Sequence, residues 1–260
     1  MNAWRVFRGG LLVGARDFAI FWSWKSWFGG WMLRILSTVF LWVLLGRLLG
    51  SPEKLHYLMV GFAATAGVGT FAVAAASWDR LDGTYALLVV SPSGVAASMM
   101  GRMAVWVFGW IASAVVTFFV VTLSFHWHVS YAGGAAVVAL ILLISASTFF
   151  LTVAVGAVTA LAPRTRNMGS FLVTLSIAAF CGVSVPVSFW PGWLQPICNL
   201  LPVTHGLQAV RLVLDSSDAA AAFRQAGIEA LVGLGWFTVS LLILTRFAEA
   251  GRRDGSIDLD

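Results

Sequence analysis

The densest group of charged side chains lies in a short loop between two apolar stretches. Asp79, Arg80 and Asp82 fall within four positions, and a Gly-Thr step follows them. Threonine is a good helix N-cap, and Ser91-Pro92 should end a helix, so the sequence predicts a helix of about one to two turns. Taken alone, such a helix is either a solvated linker or a docking element for a soluble partner.

Other groups of residues offer little chemistry. His126 and His128 flank Trp127 at a spacing that could bind a metal, but no carboxylate or thiol stands beside them, which favours a plain loop. No Ser/His/Asp constellation suggests catalysis, and no Gly-x-x-x-x-Gly-Lys-Ser/Thr phosphate loop is present. Cys181 is expected to pack as a small apolar residue, with a bridge to Cys198 as the alternative. Any coupled ATP hydrolysis would need a separate polypeptide.

A proline-rich segment (Pro186–Arg211) follows the fifth apolar stretch and includes His205. It holds four of the seven prolines of the chain: Pro186, Pro191, Pro196 and Pro202. Proline disrupts a helix interior, and non-helical backbone at membrane depth must be received by protein or a watery cavity. The segment is therefore predicted to form short re-entrant helices at one membrane face, with His205 capping or packing against one of them.

The elements that position these residues are long apolar stretches. The chain is 60% hydrophobic and 10% charged, whereas soluble domains have about 25% charged residues. Six stretches have the roughly 20 apolar residues that a membrane-spanning helix needs. The predicted spans are Trp31–Leu49, Tyr57–Ala76, Met99–Phe125, Gly133–Leu161, Ser170–Phe189 and Ile228–Phe247. We expect an all-α integral membrane protein with six transmembrane helices.

The distribution of basic residues predicts that both termini are cytoplasmic. The predicted inner side carries Arg5, Arg8, Arg16, Lys25, Arg80, Arg102, Arg164, Arg166, Arg246, Arg252 and Arg253. The predicted outer side carries only Arg47, Lys54, Arg211 and Arg224. Basic residues favour the cytoplasmic side, so this asymmetry accounts for the net charge of +5 without a nucleic-acid partner.

Polar residues near the membrane suggest anchoring and packing more than ion coupling. The tryptophan-rich stretch 15–28 is expected to form an interfacial helix, with a simple aromatic anchor as the alternative. Serines and threonines in the spans are expected to bond their own helix backbones, and the glycines of 61–69 to support close helix packing. Glu229 is placed at the outer end of the sixth span. Without a carboxylate near a span centre, an ion-coupled carrier or an intramembrane enzyme is disfavoured.

Two segments of the chain resemble ABC-2 type transporter permeases, the membrane subunits of ATP-driven exporters of drugs, lipids and polysaccharides. Residues 78–93 resemble the family's loop of acidic-basic, Gly-Thr, Leu-Leu and Ser/Thr-Pro-Ser elements. Residues 189–196 and 199–211 resemble the proline-rich external segment that closes the family's fifth span. The order and spacing agree over nearly the whole chain. Many relatives carry a glutamate where Asp79 stands, so the side chain here is shorter by one methylene.

The resemblance implies a half-transporter, in which two permease copies, identical or related, join two cytoplasmic ATPase subunits in a lipid bilayer. ATP and Mg would bind the ATPases, and no cofactor would bind this chain. The implied ATPase-coupling contact comprises Asp79, Arg80, Leu81, Asp82, Gly83, Thr84, Tyr85 and Leu88. Secondary cytoplasmic contacts would be Arg16, Lys25, Arg164 and Arg166. The external gate would comprise Pro186, Trp190, Pro191, Trp193, Pro196, Pro202, His205 and Arg211.

The expected organisation follows from these assignments. It comprises a cytoplasmic or interfacial segment 1–30, a six-span domain 31–250 with a coupling helix at 77–94 and external short helices at 186–217, and a tail 251–260. The apolar character of the spans favours efflux of a hydrophobic or amphipathic, antibiotic-like compound across a bacterial plasma membrane. Export of a lipid-linked polysaccharide is the alternative.

Overall fold

The computed structural model describes residues 3–48, 50–69, 73, 95–159, 165–216 and 218–254. All regular secondary structure in these ranges is helical. In chain order the helices are α1 (Ala3–Phe21), α2 (Trp24–Leu48), α3 (Pro52–Ala64), α4 (Val95–Ser124), α5 (Tyr131–Thr159), α6 (Arg166–Phe180), α7 (Gln195–Leu200), α8 (Thr204–Arg211) and α9 (Ala219–Asp254). Shorter turns complete them: a π-helical turn Trp27–Met32 inside α2, a 3₁₀ turn Val187–Phe189, and a π-helical turn Leu212–Ser216 after α8.

Four helices of the described ranges are long and apolar enough to cross a membrane: α2, α4, α5 and the Ala219–Arg246 part of α9. They correspond to the predicted first, third, fourth and sixth spans. The first span begins at Trp24 and the sixth at Ala219, both earlier than predicted, because a polar side chain caps each start. The Ser23 hydroxyl accepts the amide of Ser26 at 3.2 Å, and the Asp218 carboxylate accepts the amide of Ala221 at 2.9 Å.

The predicted fifth span, Ser170–Phe189, is wrong at its end, because α6 stops at Phe180. Gly182 follows with φ +77°, a left-handed conformation that glycine adopts readily just past a helix end. At about 1.5 Å per residue, the 15 residues of α6 rise about 22 Å, less than the roughly 30 Å of a hydrocarbon core. The helix therefore ends at a glycine, several residues before the prolines.

The predicted second span, Tyr57–Ala76, is described only in part. Its helix α3 starts at Pro52 after a Ser51 N-cap and ends at Ala64. Gly67 and Gly69 then adopt φ of +79° and +82° in a turn. Close packing at these glycines is confirmed, since a Cβ at Gly67 would lie 3.2 Å from Ser113 and one at Gly69 3.0 Å from Ile177. Residues 70–72 and 74–76 lie outside the described ranges, and the total of six spans stays a prediction.

The interfacial helix predicted over 15–28 has different boundaries, because α1 covers Ala3–Phe21 and the following tryptophans belong to α2. α1 lies against α4 with their backbones in close approach. A Cβ added to Gly10 would overlap the carbonyl oxygen of Ser98, and one added to Gly101 would overlap that of Phe7. Asp17 forms an ion pair of 2.6 Å with Arg102 of α4. These contacts fix α1 to the first half of α4.

α5 is the most buried of the four candidate spans and contacts α4, α6, α8 and α9. Several of its hydroxyl groups bond their own helix, as predicted: Thr148 donates to the carbonyl of Ile144 and Thr152 to that of Phe149, each at 2.7 Å. Ser113 of α4 also bonds its own helix, and it accepts the indole N–H of Trp31 at 3.0 Å. These serines and threonines thus enter the apolar core with local hydrogen bonds. The prediction is wrong for Thr117 and Ser145, whose buried hydroxyl groups have no hydrogen-bond partner among the described residues.

Candidate functional site

The proline-rich segment folds as short helical pieces, each beginning near a proline. Pro186 precedes the 3₁₀ turn Val187–Phe189, and the Pro191 carbonyl accepts the amide of Leu194 at 2.8 Å. Pro196 lies in the first turn of α7, and Pro202 stands just before α8. Proline is tolerated at these positions because the first helical N–H groups have no intrahelical acceptor. The prediction of short helices is confirmed, and their re-entrant placement in a membrane stays a prediction.

The two tryptophans assigned to the external gate have different environments. The Trp190 indole N–H donates to the carbonyl of Ala179 at 3.2 Å, and the ring packs 5.2 Å from that of Phe180. Gln195 donates its side-chain amide to the Trp190 carbonyl at 2.9 Å. Trp193 is 74% exposed. Trp190 thus ties the start of the segment to the end of α6, and Trp193 remains at the surface.

A fully buried carboxylate, Glu229 of α9, holds the start of α8. Its Oε1 accepts the amide of Val203 at 2.8 Å and also the hydroxyl of Ser147, and its Oε2 accepts the amide of Gly206 at 3.0 Å. The side chain is 0% exposed. Acidic groups are favoured at a helix N-terminus, where free N–H groups and the helix dipole are positive. Glu229 therefore joins α5, α8 and α9 at one point.

Val203 has an unusual backbone at this junction, with φ +84°. This conformation is costly for a β-branched residue and persists only where its surroundings hold it. The Val203 side chain is fully buried, and its N–H is bonded to Glu229. Glu229 and the apolar packing therefore hold the turn into α8.

Glu229 is predicted at the outer end of a last span that starts at Ile228, and its depth in a membrane stays a prediction, although the helix itself starts earlier. α9 begins at Ala219, ten residues before Glu229, so the carboxylate lies inside the helix. A lone acidic residue in an apolar run is the signal that could have found this site. Its bonding partners, Ser147, Val203 and Gly206, lie far away in sequence and carried no such signal.

Arg211, at the end of α8, connects α3 with the end of α6. One of its terminal nitrogens donates to the carbonyl of Gly182 at 2.8 Å and to that of Tyr57 at 3.2 Å. The guanidinium carbon lies 3.5 Å from the centre of the Tyr57 ring, and the Tyr57 hydroxyl donates to the same Gly182 carbonyl at 2.7 Å. The Arg211 Nε is shielded and has no hydrogen-bond partner among the described residues.

The charge of Arg211, which lies outside the four candidate spans, is compensated without a close carboxylate. In the described part of the chain, no acidic oxygen lies within 4 Å of its guanidinium, and Asp215 pairs with His56 at 3.4 Å. Burial lowers the pKa of Arg211, whereas Tyr57 and Asp215 act to raise it. An arginine stays protonated at neutral pH even so, and a cation held over an aromatic ring gains from the interaction.

A cavity of about 430 Å³, the Arg211 cavity, opens beside this contact. α3, the end of α6, the proline-rich segment and the start of α9 contribute to its walls. Its lining is rich in polar side chains: Tyr57, Thr204, Gln208, Arg211, Asp215, Arg224 and Gln225. No local sequence signal marks Tyr57, Gln208, Asp215 or Gln225 as site residues, because they become neighbours only when α8 folds back against α3 and α9.

A second cavity of about 340 Å³, the Arg34 cavity, lies where α2, the end of α3 and α6 meet. Aromatic and aliphatic side chains form most of its wall, including Trp42, Phe62 and Ile177, and hydroxyl groups of Thr38, Thr65 and Thr174 interrupt them. Arg34 stacks on Trp31, with its guanidinium carbon 4.9 Å from the ring centre. This mixture suits a molecule that is mostly apolar and carries a few polar groups.

The remaining predicted site residues are only partly placed. The coupling segment 79–88 and Arg164 lie outside the described residues, and Arg166 begins α6. Arg16 and Lys25 are exposed, on α1 and at the start of α2. No described contact joins these secondary residues.

His205 and the two cysteines have packing roles. His205 contacts the Gln225 Oε1 at 2.8 Å and the Asn199 carbonyl at 3.1 Å, which joins α7, α8 and α9. Both cysteines are buried and free, so the alternative of a disulfide is not seen. Within the described ranges, no group of three or more His, Cys, Asp or Glu side chains is placed to hold a metal ion.

Comparison with known proteins identifies one family. A family model described as ABC-2 type transporter matches residues 14–214. The match includes α2 to α8 and therefore both cavities, except for Asp215 and the wall that α9 supplies to the Arg211 cavity. No curated protein and no solved structure matches the chain.

Proposed function

Because the chain belongs to the ABC-2 type transporter family and is a membrane permease subunit, we propose that it exports a hydrophobic or amphipathic compound by ATP hydrolysis on a separate ATPase chain. The Arg34 cavity is the observation that carries this proposal. An antibiotic-like molecule would place its apolar body against Trp42 and Phe62 and its polar groups against the threonine hydroxyls. Two permease copies would bring two such cavities to a shared pathway in a bacterial plasma membrane.

Coupling to the ATPase is assigned to the segment 79–88 by its likeness to the family loop. Nucleotide binding would close the ATPase pair and push on this segment, and Arg16, Lys25, Arg164 and Arg166 would add secondary contacts. The movement would reach the proline-rich segment through α3, because Arg211 is bonded to the carbonyl of Tyr57. The proline-rich segment would then act as the outer gate above the pathway.

The coupling proposal is tested by replacing Leu81 with glutamate and co-purifying the permease with its partner ATPase. We expect Leu81→Glu to insert normally but to lose at least about tenfold of cargo-stimulated ATP hydrolysis, since about 1.4 kcal/mol of lost contact suffices. Ala220→Glu, an exposed position at the start of α9, is the matched control and should keep the wild-type rate. Equal stimulation in the two variants would remove the docking role.

The cargo class is tested in nanodiscs that contain the assembled transporter. Amphipathic antibiotics should stimulate ATP hydrolysis, and Phe62→Ala should weaken that stimulation because it removes an aromatic wall of the Arg34 cavity. Phe223→Ala changes an exposed phenylalanine outside this cavity and should have no effect. Stimulation by a lipid-linked saccharide and by no antibiotic would replace drug efflux with polysaccharide export.

A further inference from the structure

The Arg211 cavity has the chemistry of an anion site, and we propose that it binds a phosphate group. Two guanidinium groups, from Arg211 and Arg224, line it together with the single carboxylate of Asp215. That carboxylate already has a partner in His56, at 3.4 Å. The lining therefore carries an excess positive charge that a ligand anion would balance.

Arg211 is fixed before any ligand arrives. The carbonyls of Gly182 and Tyr57 hold one terminal nitrogen, and the Tyr57 ring lies against the guanidinium plane. Burial removes part of the water that would stabilise this cation, and two carbonyl oxygens and an aromatic ring replace that water here, with no carboxylate close by. An anion bound beside it gains charge-assisted hydrogen bonds, and guanidinium groups match phosphate oxygens well.

Neutral donors complete the site. The side-chain amides of Gln208 and Gln225 line the same cavity, whereas the Thr204 hydroxyl already donates to the Cys198 carbonyl at 2.7 Å. A volume of about 430 Å³ is within the roughly 300–1,000 Å³ of ligand sites, so it holds a phosphate with a small polar substituent.

The cavity lies next to exposed aromatic side chains that favour the lipid headgroup level, and this position favours a phosphodiester as the ligand. Phe189 and Trp193 of the same proline-rich segment are 68% and 74% exposed. Tryptophan and tyrosine concentrate at the headgroup level of membrane proteins, where lipid phosphates lie, and Trp193 fits this pattern. A phospholipid headgroup and a soluble phosphorylated compound present the same chemistry, and the experiment separates them.

The test measures binding to the purified full-length permease in detergent. The probes are short-chain phosphatidylglycerol, the phosphate-free short-chain diacylglycerol, and inorganic phosphate. We expect saturable binding of phosphatidylglycerol, no binding of the diacylglycerol, and about tenfold weaker binding in Arg224→Gln. Arg224 is exposed and makes none of the contacts that anchor α8, so this variant should fold normally.

Arg47→Gln is the matched control, since it removes one exposed arginine that does not line the cavity. Its dissociation constant should equal that of the wild type. Arg211→Gln should abolish binding of phosphatidylglycerol. If this variant does not fold, the comparison of Arg224→Gln with Arg47→Gln tests the proposal. Competition by inorganic phosphate at similar affinity would assign a soluble ligand, whereas binding of the lipid alone would assign a headgroup.

The proposal is overturned if neither phosphate probe binds, if diacylglycerol binds as well as phosphatidylglycerol, or if Arg224→Gln binds as tightly as Arg47→Gln. None of these measurements needs an ATPase or a transported compound. The site can therefore fail while the export proposal stands, and the export proposal can fail while phosphate binding is retained.

Discussion

At the residue scale, Glu229 explains how the start of α8 is held against the spans. A buried carboxylate is expensive unless hydrogen bonds satisfy it, and here two backbone amides and one hydroxyl do so. The positive end of α8 adds favourable electrostatics without any cation within 4 Å in the described ranges. Removal of the carboxylate would leave the backbone amides of Val203 and Gly206 without a hydrogen-bond acceptor.

We predict that Glu229→Gln destabilises the protein by about 1–3 kcal/mol. Glutamine keeps one oxygen and replaces the other with an NH₂ group, so one of the two backbone amides loses its acceptor in a buried place. Thermal unfolding in detergent measures the loss. Proteolysis within 195–211 should also accelerate, because the start of α8 is released.

Glu53→Gln is the control for this prediction, since it is the same change at an exposed position in the first turn of α3. Its effect should not exceed a few tenths of a kcal/mol, the size of a surface interaction with a helix dipole. An unfolding temperature of Glu229→Gln equal to that of Glu53→Gln would show that the carboxylate does not hold α8.

At the element scale, α1 packs against α4 through glycines, so no side chain separates the two backbones at these points. Gly10 and Gly14 of α1 face the backbone of α4 at Ser98 and Arg102, and Gly101 of α4 faces the backbone of Phe7. Small residues let helices approach closely, so that van der Waals contact replaces the hydrophobic effect that a lipid environment does not supply. The Asp17–Arg102 ion pair fixes the register at the other end of the contact.

The prediction for this element compares two neighbouring glycines. Gly10→Ala should destabilise the protein by about 1–3 kcal/mol, because its new methyl group meets the Ser98 carbonyl and the helices must separate. Gly9→Ala places the same methyl group in open space and should be neutral or stabilising by up to about 1 kcal/mol. Thermal unfolding of the two variants provides the measurement. Equal loss in both would contradict the close packing.

At the scale of the whole molecule, the long helix α9 links the Arg211 cavity to the opposite side of the bundle. Its candidate span Ala219–Arg246 has 28 residues and rises about 42 Å, enough to cross a hydrocarbon core of about 30 Å. The excess of basic residues on one predicted side predicts the orientation. The start of α9 should therefore face outside and the chain terminus the cytoplasm.

Single-cysteine labelling tests this orientation directly. Both native cysteines are buried, so background labelling should be low. In intact cells a membrane-impermeant maleimide should label Ala220→Cys, and it should label Ser256→Cys only after the cells are permeabilised. Labelling of Ser256→Cys in intact cells, with Ala220→Cys protected, would reverse the topology.

Local sequence patterns predicted much of the architecture. The four long apolar helices, the short helices at the prolines and the family resemblance all depend on composition and on residues close in sequence. The starts of α2 and α9 lie several residues before the predicted ones because Ser23 and Asp218 cap them. The end of α6 was missed because Gly182, with its positive φ, stops the helix before the first proline.

By itself, the sequence determined that this is a helical membrane protein of the ABC-2 type and that its proline-rich segment breaks into short helices. The lengths of the apolar stretches, the positions of the prolines and the family motifs each depend on residues close in sequence, so they can be recognised without the three-dimensional structure. Only the tertiary structure decided that Glu229 holds α8, that Arg211 rests on Tyr57 and Gly182, and that Arg224 lines the same cavity. These partners are separated along the chain by up to 154 residues, and packing of the helices brings them together.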